Sequence, residues 1–389
     1  MKNFIQKENS VVKFDIIIIG AGLSGICLAL EILRRTRFTV IIIEKKKKLI
    51  KDKNWCFWNY PENIFTNNAD NSWDTIKISA KNQEIFKSSN SFKYLRITSD
   101  KFYEKSLDIL SKYNRCNIIF GSEIKKINEN NSFVEVQANK KKIRANLLFN
   151  SKPNKIKKEG LKQHFFGVEV TSDNLSFQKR FVTLMDFQES KKGVHFFYIL
   201  PFSGNHALVE STYFSQTVHK KEKYIKDINN YLKSNYPNTS FKFGFTERGI
   251  LPMYNNESQC RNTKRVKYIG QANNWIKIST GYCFQNSFEK SKQIVDNLIN
   301  NFEITHNQKF SNNFLDEIFC EFIKRYPESS QDFFYNFFRY LDFKTIIYFL
   351  TEKQNLYHLL KVLIVLPKIK LLLSLFHLLR SKILYAFRH

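Results

Sequence analysis

Gly20-Ala21-Gly22-Leu23-Ser24-Gly25 is the first stretch whose residue types and spacing imply chemistry. It lies between an Ile-rich run, Phe14–Ile19, and a helical pattern, Ile26–Arg35, and Glu44 ends the next apolar run 19 residues after Gly25. In that setting G-x-G-x-x-G is a dinucleotide cradle. Gly20 permits the tight turn, Gly22 lets a pyrophosphate reach the backbone, and Gly25 lets the helix pack on the strand. The helix start, with Ala21 and Ser24, offers free N–H groups and a positive dipole end to phosphates. Glu44 would accept hydrogen bonds from a ribose. Three further carboxylates stand out, two of them at the ends of apolar runs and one before a turn. Glu210 follows Ala207-Leu208-Val209, Asp186 follows Thr183-Leu184-Met185, and Glu247 precedes Gly249 and Pro252. A buried carboxyl is a proton donor, whereas strand alternation or a loop would make each a solvated charge; the residues alone leave both readings open.

The cradle does not separate FAD from NAD. The later run Tyr268-Ile269-Gly270-Gln271-Ala272, continuing to Ser279-Thr280-Gly281-Tyr282 and a helix, favours FAD. A late strand, glycine and helix start is where two-domain flavoproteins hold the distal half of the cofactor. Both ends of the chain would then return to one ligand.

The elements that must position these groups follow from periodicity. Phe14–Ile19 and Phe38–Ile43 read as buried parallel strands around the Ile26–Arg35 helix, a β-α-β unit. Ser99–Tyr113, Lys221–Lys233 and Phe288–Phe302 read as helices, and the chain from Phe314 onward as wholly helical and very apolar. Phe166–Val170, Arg180–Phe187, Val194–Leu200 and Ala207–Ser215 read as strands, and Val266–Ile269 as the late one. The expected fold is α/β: a discontinuous Rossmann-type FAD-binding domain (1–57, 95–155 and 263–300), an inserted β-rich substrate domain (58–94 and 156–262), and a helical, membrane-facing region (301–389).

Composition narrows the function. The 389 residues include 38 Phe, an excess that calls for a core, an apolar cavity or a lipid-facing surface. The net charge is +27, from 62 Lys and Arg against 35 Asp and Glu. The Lys residues are spread along the chain with no nucleic-acid motif, which favours an anionic membrane surface, or simple solubility, over nucleic acid. Six Cys, Cys260 among them, form no CxxC pair and no cluster with His, so neither a metal site nor a disulfide scaffold is expected, and the compartment reads as reducing cytoplasm. The N-terminal MKNFIQKENS lacks the apolar region of a secretory signal. No run of 18 apolar residues occurs; Leu359–Leu379 is broken by Lys361, Pro367, Lys368, Lys370 and His377, so an interfacial contact is expected.

In order along the chain, several segments resemble motifs of the bacterial and plant lycopene β-cyclase family. They are Gly20–Gly25, Asn54-Trp55-Cys56-Phe57-Trp58, Met185-Asp186-Phe187, Phe197-Tyr198-Ile199-Leu200-Pro201-Phe202-Ser203, Ala207-Leu208-Val209-Glu210, Glu247-Arg248-Gly249-Ile250-Leu251-Pro252-Met253 and Ser279–Phe284. The resemblance spans roughly residues 14–370. Two places depart from it: Asn150-Ser151-Lys152 replaces Asp-Ser/Ala-Arg, and Gln271 replaces an Asp common in flavoproteins.

The resemblance implies proton-initiated, redox-neutral cyclisation of the ψ-ends of lycopene to β-rings, with reduced FAD and with NAD(P)H needed to keep it reduced. It implies Glu210 as the acid, with Glu247 and Asp186 beside it. Trp55, Phe57, Trp58, Phe197, Tyr198 and Phe202 would line the polyene site, and Gly270 and Gly281 would hold the flavin end. A peripheral position on the cytoplasmic face of a membrane follows from so insoluble a substrate. The alternative is a flavin-dependent isoprenoid or carotenoid oxidoreductase of geranylgeranyl reductase or monooxygenase type.

Overall fold

The structure is a computed structural model that describes residues 11–139, 141–190, 192–255, 262–300 and 310–386, without side chains at 310–313 and 385–386. Cys260, the N-terminal decapeptide and Phe302, where the predicted helix was to end, lie outside the described residues. The chain opens with β1 (Val12–Ile19), α1 (Leu23–Arg35) and β2 (Val40–Ile43). Next come β3 (Asn54–Trp58), β4 (Asn71–Trp73), β5 (Thr75–Ala80), β6 (Gln83–Ser88), β7 (Tyr94–Thr98), α2 (Ser99–Ser111), β8 (Cys116–Ile119), β9 (Ile127–Glu129), β10 (Val134–Ala138) and β11 (Lys141–Asn150). The middle holds β12 (Lys162–Ser172), β13 (Val182–Gln188), β14 (Val194–Pro201), β15 (His206–Ser215), α3 (Lys221–Asn235) and β16 (Phe241–Pro252). The last part holds β17 (Val266–Tyr268), α4 (Phe284–Asn300), α5 (Phe310–Arg325), α6 (Ser330–Tyr340), α7 (Phe343–Leu350), α8 (Leu356–Val365) and α9 (Lys368–Ala386).

One sheet runs β8-β2-β1-β11-β10-β9, with β17 parallel to the end of β11. Its centre is parallel, because the continuous apolar runs of β1 and β2 are buried on both faces. Helices α1, α2 and α4 cover one side through Ile26, Leu30, Leu33, Phe102, Ile294 and Leu298. A second sheet, β16-β12-β15-β14-β13-β5-β6, is antiparallel except where β13 meets β5. A short third sheet runs β3-β7-β4.

Alternation divides the second sheet cleanly. Phe166, Val168, Phe197, Val209 and Tyr213 pack under α3 against Tyr224, Ile228 and Tyr231. Phe196, Leu200, Leu208 and Phe214 point the other way, into a cluster with Phe333, Phe337 and Ile346 of the C-terminal helices. The space between that second face, the third sheet and the start of α4 holds the candidate site. The C-terminal helices follow the expectation in kind. Pro367 breaks them, with Leu366 extended before it, so α8 and α9 meet at 109°. Among the described residues no single helix is long and apolar enough to cross a membrane.

Candidate functional site

Glu210, on β15, and Glu247, on β16, are not sequence neighbours of any kind, yet both face Gly167 of β12. Gly167 pairs with Glu210 on one side and with Glu247 on the other. With no side chain between them, the two carboxylates occupy one row of the sheet. An ideal Cβ on Gly167 would lie 3.3 Å from Glu247 Cγ and 3.4 Å from Glu210 Cβ. The row continues to Tyr198 on β14, which pairs with Glu210.

Both carboxylates are buried, at 6% and 7% exposure. Burial raises the pKa of Glu210 well above the ordinary value, and the charge of Glu247 raises it further; Thr212 Oγ1, donating at 2.6 Å, pulls it partly back. Burial also raises Glu247, but the Asn54 N–H, donating at 2.7 Å, and the nearby Arg96 oppose it. Both carboxyls are thus raised, Glu210 the further of the two, so a single proton shared by the pair favours Glu210. Arg96 is itself fixed. It donates to Asn54 Oδ1 (2.8 Å), Asn71 Oδ1 (2.9 Å) and Glu169 Oε1 (3.2 Å), and stacks on Phe202 at 3.8 Å.

The carboxylates open into a cavity of about 330 Å³ walled by Trp55, Cys56, Tyr94, Phe196, Tyr198 and Tyr282 among others, and by Gly281 at one end. The Tyr198 hydroxyl donates to that of Tyr94 at 3.0 Å. Burial pushes the Cys56 thiol and the Tyr282 phenol each up to about 12, so both stay neutral.

Several residues expected at the site are elsewhere. Asp186 faces α3, where Tyr231 donates to it at 2.5 Å. The cause is a β-bulge. Thr183 pairs with Ile199 and Asp186 with Phe197, so three steps on β13 match two on β14 and the parity is reversed. Leu184 and Met185 line the cavity in its place. Phe197 alternates away from Tyr198 and packs on Tyr231 under α3. Phe57 stacks on Phe284 at 4.2 Å in the first core, Trp58 packs on Tyr94 and Phe343, and Phe202 lies under Arg96; none of these four aromatics lines the cavity. Trp55 and Tyr198 do. Gly167 and Arg96 had been missed. A lone glycine inside a strand-like run, Phe165-Phe166-Gly167-Val168, was the available signal for the first.

The dinucleotide turn has the form its sequence demands. Gly20 takes φ +97°, and a Cβ on Gly25 would lie 2.0 Å from the Gly20 carbonyl oxygen. Beyond its own chain neighbours, no heavy atom of the described residues lies within 4 Å of a Cβ on Gly22, and no side chain caps α1. That is open space at a helix start, which fits a pyrophosphate. Glu44 Oε2 accepts the Ala21 N–H at 2.7 Å, which places the carboxylate beside the turn. The departure at Asn150-Ser151-Lys152 still closes β1, since the Ser151 hydroxyl donates to the Ile19 carbonyl at 2.6 Å. Gly270, with φ +66°, stands against Ser24, so the late segment does reach the first glycine turn. Gln163 Oε1 is buried at the cavity with no hydrogen-bond partner among the described residues, leaving a polar group for a ligand. Among the described residues no group of His, Cys, Asp and Glu is set to hold a metal ion.

Solved structures share this architecture. A geranylgeranyl bacteriochlorophyll reductase-like protein from Thermoplasma acidophilum superposes with a TM-score of 0.69 at 12% identity, covering 91% of this chain and 96% of its own. A flavoprotein/dehydrogenase from Cytophaga hutchinsonii gives 0.57 at 13%, covering 87% and 92%. A mutant of the halogenase PltM in complex with FAD gives 0.55 at 11%, covering 80% and 77%. At such identities the likeness is one of fold, that of Rossmann-type flavoproteins. No curated protein sequence matches the chain. The family model described as lycopene cyclase protein matches residues 15–375, nearly all of the sequence that builds both the glycine turn and the carboxylate row, and the chain belongs to the lycopene cyclase family.

Proposed function

We propose that the chain is a lycopene β-cyclase, closing the acyclic ψ-ends of lycopene into β-rings, by way of γ-carotene to β-carotene, with no net redox change. The observation that carries this is the Glu210–Gly167–Glu247 row at an apolar cavity. Glu210, kept protonated by burial and by its neighbour's charge, gives its proton to the terminal alkene. The next double bond attacks the resulting cation and closes the ring. Loss of one ring proton then forms the ring alkene, and Glu247, ionised beneath the Asn54 N–H, accepts it. Passing that proton to Glu210 restores the pair. The ring faces of Trp55, Tyr94, Phe196 and Tyr198 favour a cation nearby, and the apolar walls keep out the water that would quench it.

Gly20, Ala21, Gly22, Ser24, Gly25 and Glu44 would hold the adenosine and pyrophosphate of FAD, and Gly270 and Gly281 its distal half. Bound FAD, kept reduced by NADPH or NADH, supplies negative charge that favours an adjacent cation. The enzyme sits peripherally on the cytoplasmic face of a membrane, through α8 and α9. Leu356, Ile364, Ile369, Leu372 and Phe376 are more than 60% exposed there, and after Glu352 the sequence has seven Lys or Arg and no Asp or Glu.

The test is expression in cells that accumulate lycopene, followed by pigment chromatography. β-Carotene from the wild type and unchanged lycopene from a flavin-loaded Glu210→Gln protein are expected. Rings formed at the wild-type rate by Glu210→Gln would remove the acid from the scheme. One nicotinamide oxidised per turnover would point to the oxidoreductase reading instead.

A further inference from the structure

A second cavity, of about 560 Å³, lies between the C-terminal helices. Its walls come from α5, α6, α7, α8 and α9, with Phe319, Phe337, Leu359, Leu363 and Leu375 typical of the lining. Its two charged liners do not make it polar: Asp316 is paired with the buried Lys277 at 2.8 Å, and Lys368 is an exposed residue at the start of α9. The cavity adjoins the one that holds Glu210. Ser279, Thr280, Phe334, Phe338 and Leu350 line both.

From this shared wall we infer a hydrocarbon channel: the polyene reaches Glu210 end first, its middle lies between the C-terminal helices, and its far end stays among lipid acyl chains beyond α8 and α9. The inference rests on the cyclase reading. Length requires something of the kind. At roughly 1.2 Å of advance per backbone bond, an extended lycopene measures on the order of 35 Å, more than the ~30 Å hydrocarbon thickness of a bilayer. The acid cavity, about 330 Å³, is near the small end of ligand pockets. It can take a ring-forming end and little more.

The chemistry of the second cavity selects the occupant. Its walls offer water almost no hydrogen bonds, so the space stays dry, and an unfilled apolar void forfeits contacts that a packed core makes. A hydrocarbon fills it without leaving a polar group unpaired. The outer side is also suited to lipid. Leu363 and Leu372 line the cavity and are 43% and 63% exposed, so the wall between chamber and exterior is one layer of leucine side chains. Helix α9 is tied down on both sides of this wall, by Lys370 to Glu328 at 3.7 Å and by Lys382 to Glu317 at 2.5 Å. The stretch that lines the chamber, Leu371, Leu372 and Leu375, lies between the two ties.

End-first binding has a consequence. Only one end of a symmetric polyene can meet Glu210 at a time, so the second ring requires withdrawal and re-entry of the other end. Phe334, Phe338 and Leu350 stand where a slim polyene would pass from one cavity to the other, and filling that place should stop binding without touching the acid.

Leu350→Trp tests this, made alone and in the Glu210→Gln background, with flavin content as the check on folding. Lycopene retained by the purified protein and rings formed in liposomes are both measured. A flavin-loaded Leu350→Trp protein should retain at least tenfold less lycopene than its parent and lose cyclisation to the same extent. Undiminished retention and turnover in that protein would overturn the channel and leave the cyclase reading standing. A wild type that forms no rings would overturn both. If Leu350→Trp does not load flavin, Leu375→Trp, on the more exposed α9, is read in the same way.

Discussion

Replacing Gly167 by Ala tests the carboxylate row with a single methyl group. The backbone there is one that any residue adopts, so no torsional strain is introduced. The new Cβ would meet Leu208 Cδ1 at 3.2 Å, Glu247 Cγ at 3.3 Å and Glu210 Cβ at 3.4 Å. Each is a few tenths of an ångström too close. Ala stabilises a strand by about 0.5–1 kcal/mol over Gly, and crowding a packed site costs about 1–3 kcal/mol, so folding should lose no more than about 2.5 kcal/mol. The rate is more sensitive. Moving a catalytic group by ~1 Å costs on the order of a hundredfold, and the displacement here is a good fraction of that, so roughly a tenfold loss or more is expected. Flavin-loaded wild type and Gly167→Ala would be compared in liposomes by pigment chromatography, with urea midpoints for stability. Gly167→Val, which puts branched carbon between the carboxylates, should lose far more. A Gly167→Ala enzyme with the wild-type rate would show that the spacing of Glu210 and Glu247 is irrelevant to the reaction.

Glu210→Gln should keep flavin and also change how stability depends on pH. The folded-state pKa of Glu210 lies above its ordinary value of 4.5, so the folded state keeps a proton that the unfolded state has lost, and stability falls as pH rises from there until Glu210 ionises. The slope is about 1.4 kcal/mol per pH unit for this one group, and Gln should remove it; an unchanged stability–pH curve would contradict the assignment. Gly22→Val should abolish flavin binding at normal thermal stability, because its methyl groups enter the space now open beside α1, and full flavin occupancy would refute the site. Lys277→Met should destabilise the fold by about 3–5 kcal/mol by leaving Asp316 buried without its partner, read as a lower urea midpoint. Ile364→Asp with Ile369→Asp, both on exposed faces, should reduce sedimentation with anionic liposomes while flavin is retained; unchanged sedimentation would place the membrane contact elsewhere.

The Rossmann unit was legible because its signals are local. Ile16–Ile18 and Val40–Ile43 are buried on both sides and read as continuous apolar runs, and the glycines must lie between them. The C-terminal helices were legible for the same reason, though the helix break at Pro367 was not part of that reading. The site was harder, because it depends on register between strands far apart in sequence. Nothing near Glu210 announces that Glu247 stands across one intervening strand. Asp186 shows the limit most clearly: strict alternation from Leu184 would have put it in the cavity, and one extra residue in β13 turned it to the opposite face. Phe197 and Tyr198 are adjacent aromatics of similar size, and only burial against α3 tells which one faces the site. Arg96 is a single charge in a five-residue buried strand, which a period-based reading passes over.

A fold shared with a reductase-like protein, a flavoprotein/dehydrogenase and a halogenase at 11–13% identity does not choose between hydride and proton chemistry; the proposed reading rests on the cavity wall. That wall brings together two buried carboxyls of raised pKa and aromatic faces, the groups the proposed alkene protonation calls for. The turn Ser279–Gly281 is where the parts meet. Ser279 and Thr280 belong to both cavities, and Gly281, at φ +76°, stands against Gln163 and Leu251 at the edge of the first. Lys277 holds this turn from beneath. Its N–H donates to the Tyr282 carbonyl, and its own carbonyl accepts the Gly281 N–H. Burial works against the Lys277 charge, but Asp316 of α5 and then Glu352 outweigh it and hold the ammonium above its ordinary pKa. The helical chamber is thereby fastened to the segment that borders the carboxylates. A substrate end delivered through those helices arrives at a fixed position relative to Glu210, which positional catalysis needs and a loosely attached lipid-binding region would not provide.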